Sequence, residues 1–152
     1  MKAKNKQFDI KKLSLIETSN FFKENGEDYF EKLSDRVDIN EYSENLIKNS
    51  IQFSLWDNKT LIGLSPCYFN NSKESVAYIS SLTIKKGFRG KKLGSQMIQQ
   101  INHYAQKRNF NTVMVKIHYD NLISHNFYMK NGFKGFIEDE VNNFRLMRLE
   151  VN

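Results

Sequence analysis

Residues 85–95 read Lys-Lys-Gly-Phe-Arg-Gly-Lys-Lys-Leu-Gly-Ser, and this loop is the most informative stretch of the chain. It follows an apolar stretch typical of a strand, at 76–84, and it leads into a helical pattern over 90–108. A helix N-terminus presents about four unpaired N–H groups and roughly half a positive charge. Glycines at positions 90 and 94 allow the backbone to approach an anion closely. The loop therefore predicts a phosphate-binding turn between a strand and a helix.

The same loop contains much of the excess positive charge. The chain has 152 residues, with 23 Lys and Arg against 17 Asp and Glu, which gives a net charge of +6. Five of the cations lie in this loop: Lys85, Lys86, Arg89, Lys91 and Lys92. Phe88 among them leaves nucleic-acid binding as an alternative, but no basic stripe or nucleic-acid motif follows elsewhere. The loop is neither a Walker P-loop nor a Rossmann fingerprint. Because the cations are concentrated in one loop before one helix, we expect one small phosphorylated ligand and no nucleic-acid partner.

The composition excludes several classes of protein. A hydrophobic content of 39% is too high for a disordered chain, and the length suits one domain over 1–152. There is no apolar run of about 18 residues and no signal-peptide pattern, so we expect no membrane partner and a cytoplasmic location. A single cysteine, Cys67, excludes an internal disulfide, and the three histidines lack ligand spacing, so no metal is predicted.

Hydrophobic periodicity predicts a sheet with helices before and within it. Residues 1–7 are expected to be loose, and 14–49 are helical with a break at Asn25-Gly26 and a second helix capped by Asp38 or Asn40. Further helices are predicted at 90–108 and 121–130, and strands at 8–13, 50–57, 60–69, 76–84, 112–118, 133–138 and 143–151. The unit of strand 76–84, helix 90–108 and strand 112–118 is a β-α-β crossover, so the sheet is mixed.

A second motif stands about 30 residues after the loop. Residues 121–133 read Asn-Leu-Ile-Ser-His-Asn-Phe-Tyr-Met-Lys-Asn-Gly-Phe. The two motifs together resemble the GNAT superfamily of acyl-CoA-dependent N-acetyltransferases. The family cradle, Gln/Arg-x-x-Gly-x-Gly/Ala, is matched at Arg89 and Gly94, with Lys92 where the first glycine is usual. The family's downstream signature is matched at six positions, with Ser124 in place of alanine: Asn121, Phe127, Tyr128, Lys130, Gly132 and Phe133.

This resemblance implies an α/β (α+β) fold, the GNAT fold. Its mixed, twisted sheet splays open between the strand at 76–84 and the strand at 112–118, with helices on both faces. It also implies acetyl-CoA as the acyl donor. The backbone of residues 82–84 would pair with the pantetheine arm, and residues 89–95 would hold the pyrophosphate. The implied donor-binding residues are Leu82, Thr83, Ile84, Arg89, Gly90, Lys91, Lys92, Leu93, Gly94, Ser95, Asn121 and Tyr128.

The expected chemistry is direct transfer of an acetyl group to a primary amine. Tyr128 is the candidate general acid toward the leaving thiolate, because tyrosine has a pKa of about 10 and is protonated at neutral pH. The N–H of Leu82 is a candidate for the oxyanion contact. Cys67 is expected to be a small core residue rather than a nucleophile.

The general base is left open by the sequence. Many relatives place a glutamate in the strand before the cradle, and residues 77–82 contain no carboxylate. The candidates are a water chain lined by two serines, three carboxylates from other segments, and one histidine: Ser80, Ser81, Glu44, Asp139, Glu140 and His118.

The acceptor site is expected between the helices before residue 50 and the turn near 139–143. The candidate acceptor-binding residues are Tyr29, Arg36, Ser80 and Ser81. A faint resemblance to GNAT members of bacterial surface-polysaccharide synthesis suggests an amino-sugar nucleotide, while an antibiotic, polyamine, amino acid or peptide is equally open. A silent CoA-binding module and a basic nucleic-acid-binding domain are the alternative functions, and a homodimer is one possible assembly.

Overall fold

The computed structural model describes residues 6–151 and contains an eight-stranded sheet with helices on both faces. The strands are β1 (Lys6–Ile10), β2 (Ile51–Asp57), β3 (Thr60–Asn71), β4 (Val76–Ile79), β5 (Thr83–Ile84), β6 (Thr112–His118), β7 (Lys134–Asp139) and β8 (Phe144–Glu150). The helices are α1 (Leu15–Asn25), α2 (Leu33–Arg36), α3 (Ile39–Asn49), α4 (Leu93–Lys107) and α5 (Leu122–Lys130), with a 3-10 turn at Gly26–Asp28. Among these described helices, none is long and apolar enough to cross a membrane.

The strands follow the order β1-β2-β3-β4-β6-β8-β7, with β5 paired to β3. Each neighbouring pair is antiparallel except β4 and β6, which run parallel. A parallel pair needs a long crossover, which α4 supplies. The predicted mixed sheet and its β-α-β unit are therefore confirmed.

Two apolar clusters lie on opposite faces of the sheet. Side chains alternate along a strand, so β2 directs Phe53 and Leu55 to the face covered by α4, whose Met97 is fully buried against them. The opposite face, covered by α1 and α3, packs Phe22 and Leu46 against the sheet. The helices thus lie on both faces, as the resemblance implied.

A β-bulge interrupts the predicted strand 76–84. Cys67 of β3 lies opposite Ile79, whereas Leu64 lies opposite Thr83, so three steps on β3 correspond to four on the partner. The extra residue breaks the strand into β4 and β5 and bends it. It also reverses the alternation of side chains between the two halves, which positions the site described below.

The other boundaries differ from the predicted ones at the ends. β1 begins at Lys6, so residues 6 and 7 are not loose as predicted, and it ends at Ile10 rather than at residue 13; residues 1–5 lie outside the described part. The helical stretch 14–49 is three helices, because the Asn25-Gly26 break is followed by an extended segment before α2. Of the two predicted caps, Asp38 caps α3 by accepting from the N–H of Glu41.

Candidate active site

The sheet opens between β4 and β6. Their parallel pairing ends where Ile79 meets Val115. Beyond this point the chain stays with β3 on one side, while β6 stays with β8 as far as His118. Residues 80–84 and 116–118 therefore form the two walls of a split in the sheet, as expected.

The bulge directs the main-chain groups of two residues, Leu82 and Ile84, away from β3 and into the split. The N–H of Lys85 donates to the carbonyl of Ile62 at 2.7 Å, and hydrogen-bonded pairs alternate along an antiparallel ladder. Thr83 therefore exchanges hydrogen bonds with Leu64, whereas the main-chain groups of Leu82 and Ile84 point away from β3. Within residues 6–151, the N–H of Leu82 has no backbone partner, so it is free for a ligand in the split.

The same bulge brings three hydroxyls to the α1–α3 face. Thr83 accepts or donates a hydrogen bond with the Tyr29 hydroxyl at 2.5 Å, and Ser80 contacts the Tyr42 hydroxyl at 3.4 Å. The Oγ atom of Ser81 is buried and makes no hydrogen bond with the residues that the structure describes. Burial raises the pKa of Tyr29 to about 12, although its hydrogen bond with Thr83 acts in the opposite direction. This wall is thus lined with neutral hydroxyls.

The loop before α4 has the backbone of an anion-binding turn. Gly87 and Gly90 have φ of 97° and 80°, and Lys92 has φ of 61°. A left-handed residue beside a right-handed one can turn consecutive backbone N–H groups toward one concavity. Lys92 stands where the family has glycine, and it adopts the left-handed conformation that glycine takes at low cost. At this departure from the family motif, Lys92 therefore adopts a backbone conformation that is also open to glycine.

The N-terminus of α4 is open. The helices α1, α3 and α5 are each capped by a side chain, from Ser14, Asp38 and Asn121 respectively, whereas Lys92 provides no side-chain cap for α4. The first N–H groups of any helix lack partners inside the helix. Those of residues 93–95 are consequently available to an external acceptor.

The cations of the loop play different roles. Arg89 donates from Nε to the carbonyl of Ile84 at 2.7 Å, and its Nη2 lies 3.6 Å from a carboxylate oxygen of Asp28. Lys85 forms an ion pair with Glu24 at 2.8 Å. In the described part of the chain, Lys91 and Lys92 form no ion pair and are exposed. Arg89 thus fixes the loop to the helical layer, while positions 91 and 92 present free charges.

Tyr128 is buried on α5, with 5% of its surface exposed. Its ring packs edge-on against Phe127 and Phe133, each with centroids 5.1 Å away. Its hydroxyl makes no side-chain hydrogen bond within residues 6–151. Burial raises its pKa well above the ordinary value, and the nearby Cys67 and Tyr29 raise it further. The hydroxyl therefore stays protonated at neutral pH.

Gly94 and Asn121 determine how α5, which carries Tyr128, packs and begins. A Cβ on Gly94 would lie 3.0 Å from the ring of Phe127, so the absence of a side chain lets α4 approach α5. Asn121 caps α5 by accepting from the N–H of Ser124 at 3.1 Å. Its amide nitrogen has no partner among the described residues and remains able to donate.

The candidate bases are not brought together with the hydroxyl wall. Glu44 and Glu140 are exposed, and Asp139 accepts two hydrogen bonds from Asn142. The Nδ1 atom of His118 accepts from the N–H of Asp120 at 3.1 Å, so this nitrogen is already engaged. Within residues 6–151 no group of three or more His, Cys, Asp or Glu side chains is arranged to hold a metal ion.

Cys67 lies near Tyr128 but is fully buried, and burial raises the pKa of its thiol to about 12. A thiol that is not ionised is a poor nucleophile. Its surroundings are those of the core residue that the sequence predicted.

Several residues of the site were missed by sequence reasoning. Asp28 and Glu24 position the cradle, and Phe30 stacks on His118 with ring centroids 4.6 Å apart. In the sequence these residues look like the solvated and apolar faces of a helix. No local signal distinguishes them, because their partners lie more than fifty residues away.

The match to a family model decides the classification. The acetyltransferase (GNAT) family matches residues 13–133. The chain belongs to this family. The predicted family and enzyme class, an acyl-CoA-dependent N-acyltransferase, are confirmed, and acetyl-CoA is the corresponding donor. No curated protein sequence matches the chain.

Solved structures share the fold of this GNAT acetyltransferase at low sequence identity. The PaiA N-acetyltransferase of Thermoplasma acidophilum, in complex with coenzyme A, is 19% identical; 95% of this chain and 99% of that chain are covered, with a TM-score of 0.71. The Escherichia coli ribosomal-protein-S18-alanine N-acetyltransferase is 12% identical; 96% of this chain and 95% of that chain are covered, with a TM-score of 0.74. A spermidine N-acetyltransferase SpeG chimera from Vibrio cholerae and hSSAT is 18% identical over 95% of each chain, with a TM-score of 0.75. These likenesses confirm the GNAT fold.

Proposed function

We propose that the chain transfers the acetyl group of acetyl-CoA directly to a primary amine, in the split between β4 and β6. The observation that carries the proposal is the open N-terminus of α4, which lies beside β5 and the unpaired N–H of Leu82. The single domain over 1–152 would hold both substrates.

The residues present fit the donor. A pyrophosphate would suit the free N–H groups of residues 93–95 and the charges of Lys91 and Lys92. Gly90, with a φ of 80° and open space around it, leaves room for it. Main-chain groups of Leu82 and the N–H of Ile84 suit the amides of a pantetheine arm. The carbonyl of Ile84 already accepts from Arg89, and the main-chain groups of Thr83 are paired with β3. Arg89 acts by fixing the loop. Asn121 and Tyr128 would lie at the thioester end.

The transfer needs three contributions from the protein. Acetyl-CoA supplies the acetyl group as a thioester; the amine nitrogen forms the new C–N bond as the C–S bond breaks. The N–H of Leu82, which has no backbone partner within residues 6–151, would stabilise negative charge on the carbonyl oxygen. Tyr128 donates a proton to the leaving sulfur. Because no carboxylate lies on the hydroxyl wall, the amine proton leaves to water held by Ser80 and Ser81.

The fold alone does not determine which amine is the acceptor. Proteins of this fold include enzymes named for a ribosomal-protein alanine and for spermidine. Tyr29, Ser80 and Ser81 line the wall, and Arg36 lies close enough to Tyr29 to lower its pKa. The amino-sugar nucleotide remains a prediction, as do the homodimer, the cytoplasmic location and the absence of a nucleic-acid partner.

The test combines a binding and an activity measurement. Acetyl-CoA should raise the melting temperature, and thiol release should accompany acetylation when a panel of amines is added. Lys91→Glu with Lys92→Glu should abolish the stabilisation, whereas Lys59→Glu, in the exposed β2–β3 turn, should preserve it. Stabilisation without thiol release on any amine would indicate a silent CoA-binding module. DNA binding unaffected by CoA would indicate the nucleic-acid alternative.

A further inference from the structure

Charge is segregated between the layers of the molecule. The segment from Leu15 to Asn49 contains nine Asp and Glu against four Lys and Arg, so it has a net charge of −5 and the rest of the chain has +11. Each of these nine carboxylates belongs to an exposed residue. Of these nine, only Glu24, Glu27 and Asp28 form an ion pair with another described residue. The layer that covers the hydroxyl face of the split is thus acidic, although the protein as a whole is basic.

Two neighbouring residues of this layer contact opposite walls of the split. Tyr29 reaches the β5 wall through Thr83, while Phe30 stacks on His118 at the end of the β6 wall. Phe30 is 54% exposed despite this stacking. A molecule entering the split from the α1–α3 side must therefore pass an aromatic ring with an accessible surface.

The interior of the split offers a place for an uncharged amine. Its wall is lined with neutral hydroxyls, and the Ser81 Oγ atom is buried without a partner in the described structure. A buried hydroxyl without a hydrogen bond is costly, so it points to a polar group that completes it. The neutral wall and the acidic, aromatic entrance together suit a molecule with an amine to be acetylated inside and a second, positive group outside.

From these contacts we infer that the acceptor is a small polyamine, with at least one positive charge besides the reacting amine. This rests on the proposed function and names its acceptor class. The second ammonium lies over the exposed surface of Phe30, next to Glu31, where a cation–π contact and the negative field act together. Arg36, near Tyr29, opposes the binding of such a molecule. The negative field of this layer would repel an anionic amino-sugar nucleotide.

The decisive comparison uses 1,4-diaminobutane and butylamine, which have the same carbon chain and differ in the second ammonium. At saturating acetyl-CoA, kcat/KM for 1,4-diaminobutane should exceed that for butylamine by about ten-fold or more, and spermidine should behave likewise. The advantage should shrink as ionic strength rises, since exposed charges are screened. Equal kcat/KM values for the two amines would overturn the inference.

Two variants give opposite expectations. Phe30→Ala should raise KM for 1,4-diaminobutane about three-fold or more and leave KM for butylamine unchanged, whereas Phe30→Tyr should retain the wild-type preference. Arg36→Gln should lower KM for the diamine. Glu150→Gln, at the end of β8 that pairs with the start of β6, is the matched control and should change neither value.

The outcomes separate the inference from the proposed function. Efficient acetylation of an anionic amino-sugar nucleotide, with KM raised by Arg36→Gln, would overturn the polyamine and leave the acetyltransferase standing. A lysine-rich hexapeptide with a higher kcat/KM than any diamine would overturn the small-molecule acceptor. Thermal stabilisation by acetyl-CoA without acetylation of any amine would overturn the proposed function and the inference together.

Discussion

The Tyr29 hydroxyl lies 2.5 Å from Oγ1 of Thr83, and this contact joins the helical layer to β5, which lines the split. Thr83 has its main-chain groups paired with β3, so its side chain is its only part that faces the site. We therefore expect a change at this contact to alter the acceptor KM before it alters the KM for acetyl-CoA.

Tyr29→Phe should raise the acceptor KM several-fold while KM for acetyl-CoA stays within about two-fold. The variant removes the hydroxyl and leaves the Thr83 side chain without its partner, a loss worth roughly 1–3 kcal/mol when the group stays buried. Steady-state kinetics with each substrate varied in turn measure both constants. Tyr104→Phe, on α4 against Phe53 and Phe69, is the control. An unchanged acceptor KM would contradict the role of Tyr29.

Tyr128→Phe should lower kcat by about 10²-fold, the usual scale of one proton transfer, with the affinity for acetyl-CoA nearly kept. Phenylalanine preserves the packing against Phe127 and Phe133, so the fold should be unaffected. The raised pKa of Tyr128 predicts that this residue causes no loss of kcat up to at least about pH 10 in the wild type. An unchanged kcat in the variant would remove the proposed acid, and circular dichroism would verify that folding is normal.

Lys92→Gly should stabilise the protein and weaken acetyl-CoA binding at the same time. Glycine adopts φ of 61° without the cost of roughly 1–2 kcal/mol that other residues incur in the left-handed region, but the variant loses a cation. Lys92→Ala retains the strain and also loses the charge, so it is the matched comparison. Urea unfolding and calorimetric titration measure the two effects. Equal stability of the two variants would contradict the assigned backbone conformation.

The parts of this site that could be predicted are those determined by local sequence. The cradle at 85–95 and the crossover through α4 follow from glycine, charge and periodicity. The bulge could not be predicted, because Ser80-Ser81-Leu82 contains no glycine or proline and the extra residue is defined only by the register against β3. The bulge, in turn, decides that Leu82 faces the split while Thr83 does not. The contacts of Phe30 and Asp28 depend on partners distant in the sequence, which explains why both looked like ordinary helix residues.

Asp28→Asn should weaken acetyl-CoA binding by about three- to ten-fold without a matching loss of kcat, because Asp28 acts only through Arg89. The pair is exposed, so its direct worth is small, roughly 0.2–1 kcal/mol, and the main effect is on the position of the loop. The test is the Kd for CoA measured in Asp28→Asn, Arg89→Gln and the double variant. If the two single effects simply add, the residues act independently and the positioning role is wrong.

The stability of the protein should fall as the pH rises above about 9, and Cys67 should account for part of this fall. In the unfolded chain the thiol ionises with a pKa of about 8.5, whereas burial raises its pKa in the folded chain to about 12. A raised folded pKa stabilises the protein below the unfolded value, and this contribution is lost as the pH climbs toward 12. One proton changes the free energy of unfolding by at most about 1.4 kcal/mol per pH unit.

Cys67→Ala removes the ionising group. The free energy of unfolding of this variant, measured by urea unfolding, should therefore decline less steeply than that of the wild type between pH 8 and 10.5. Its kcat at neutral pH should stay unchanged. Parallel declines in the two proteins would show that the thiol is accessible to ionisation in the folded state, contrary to its burial in the core of the sheet.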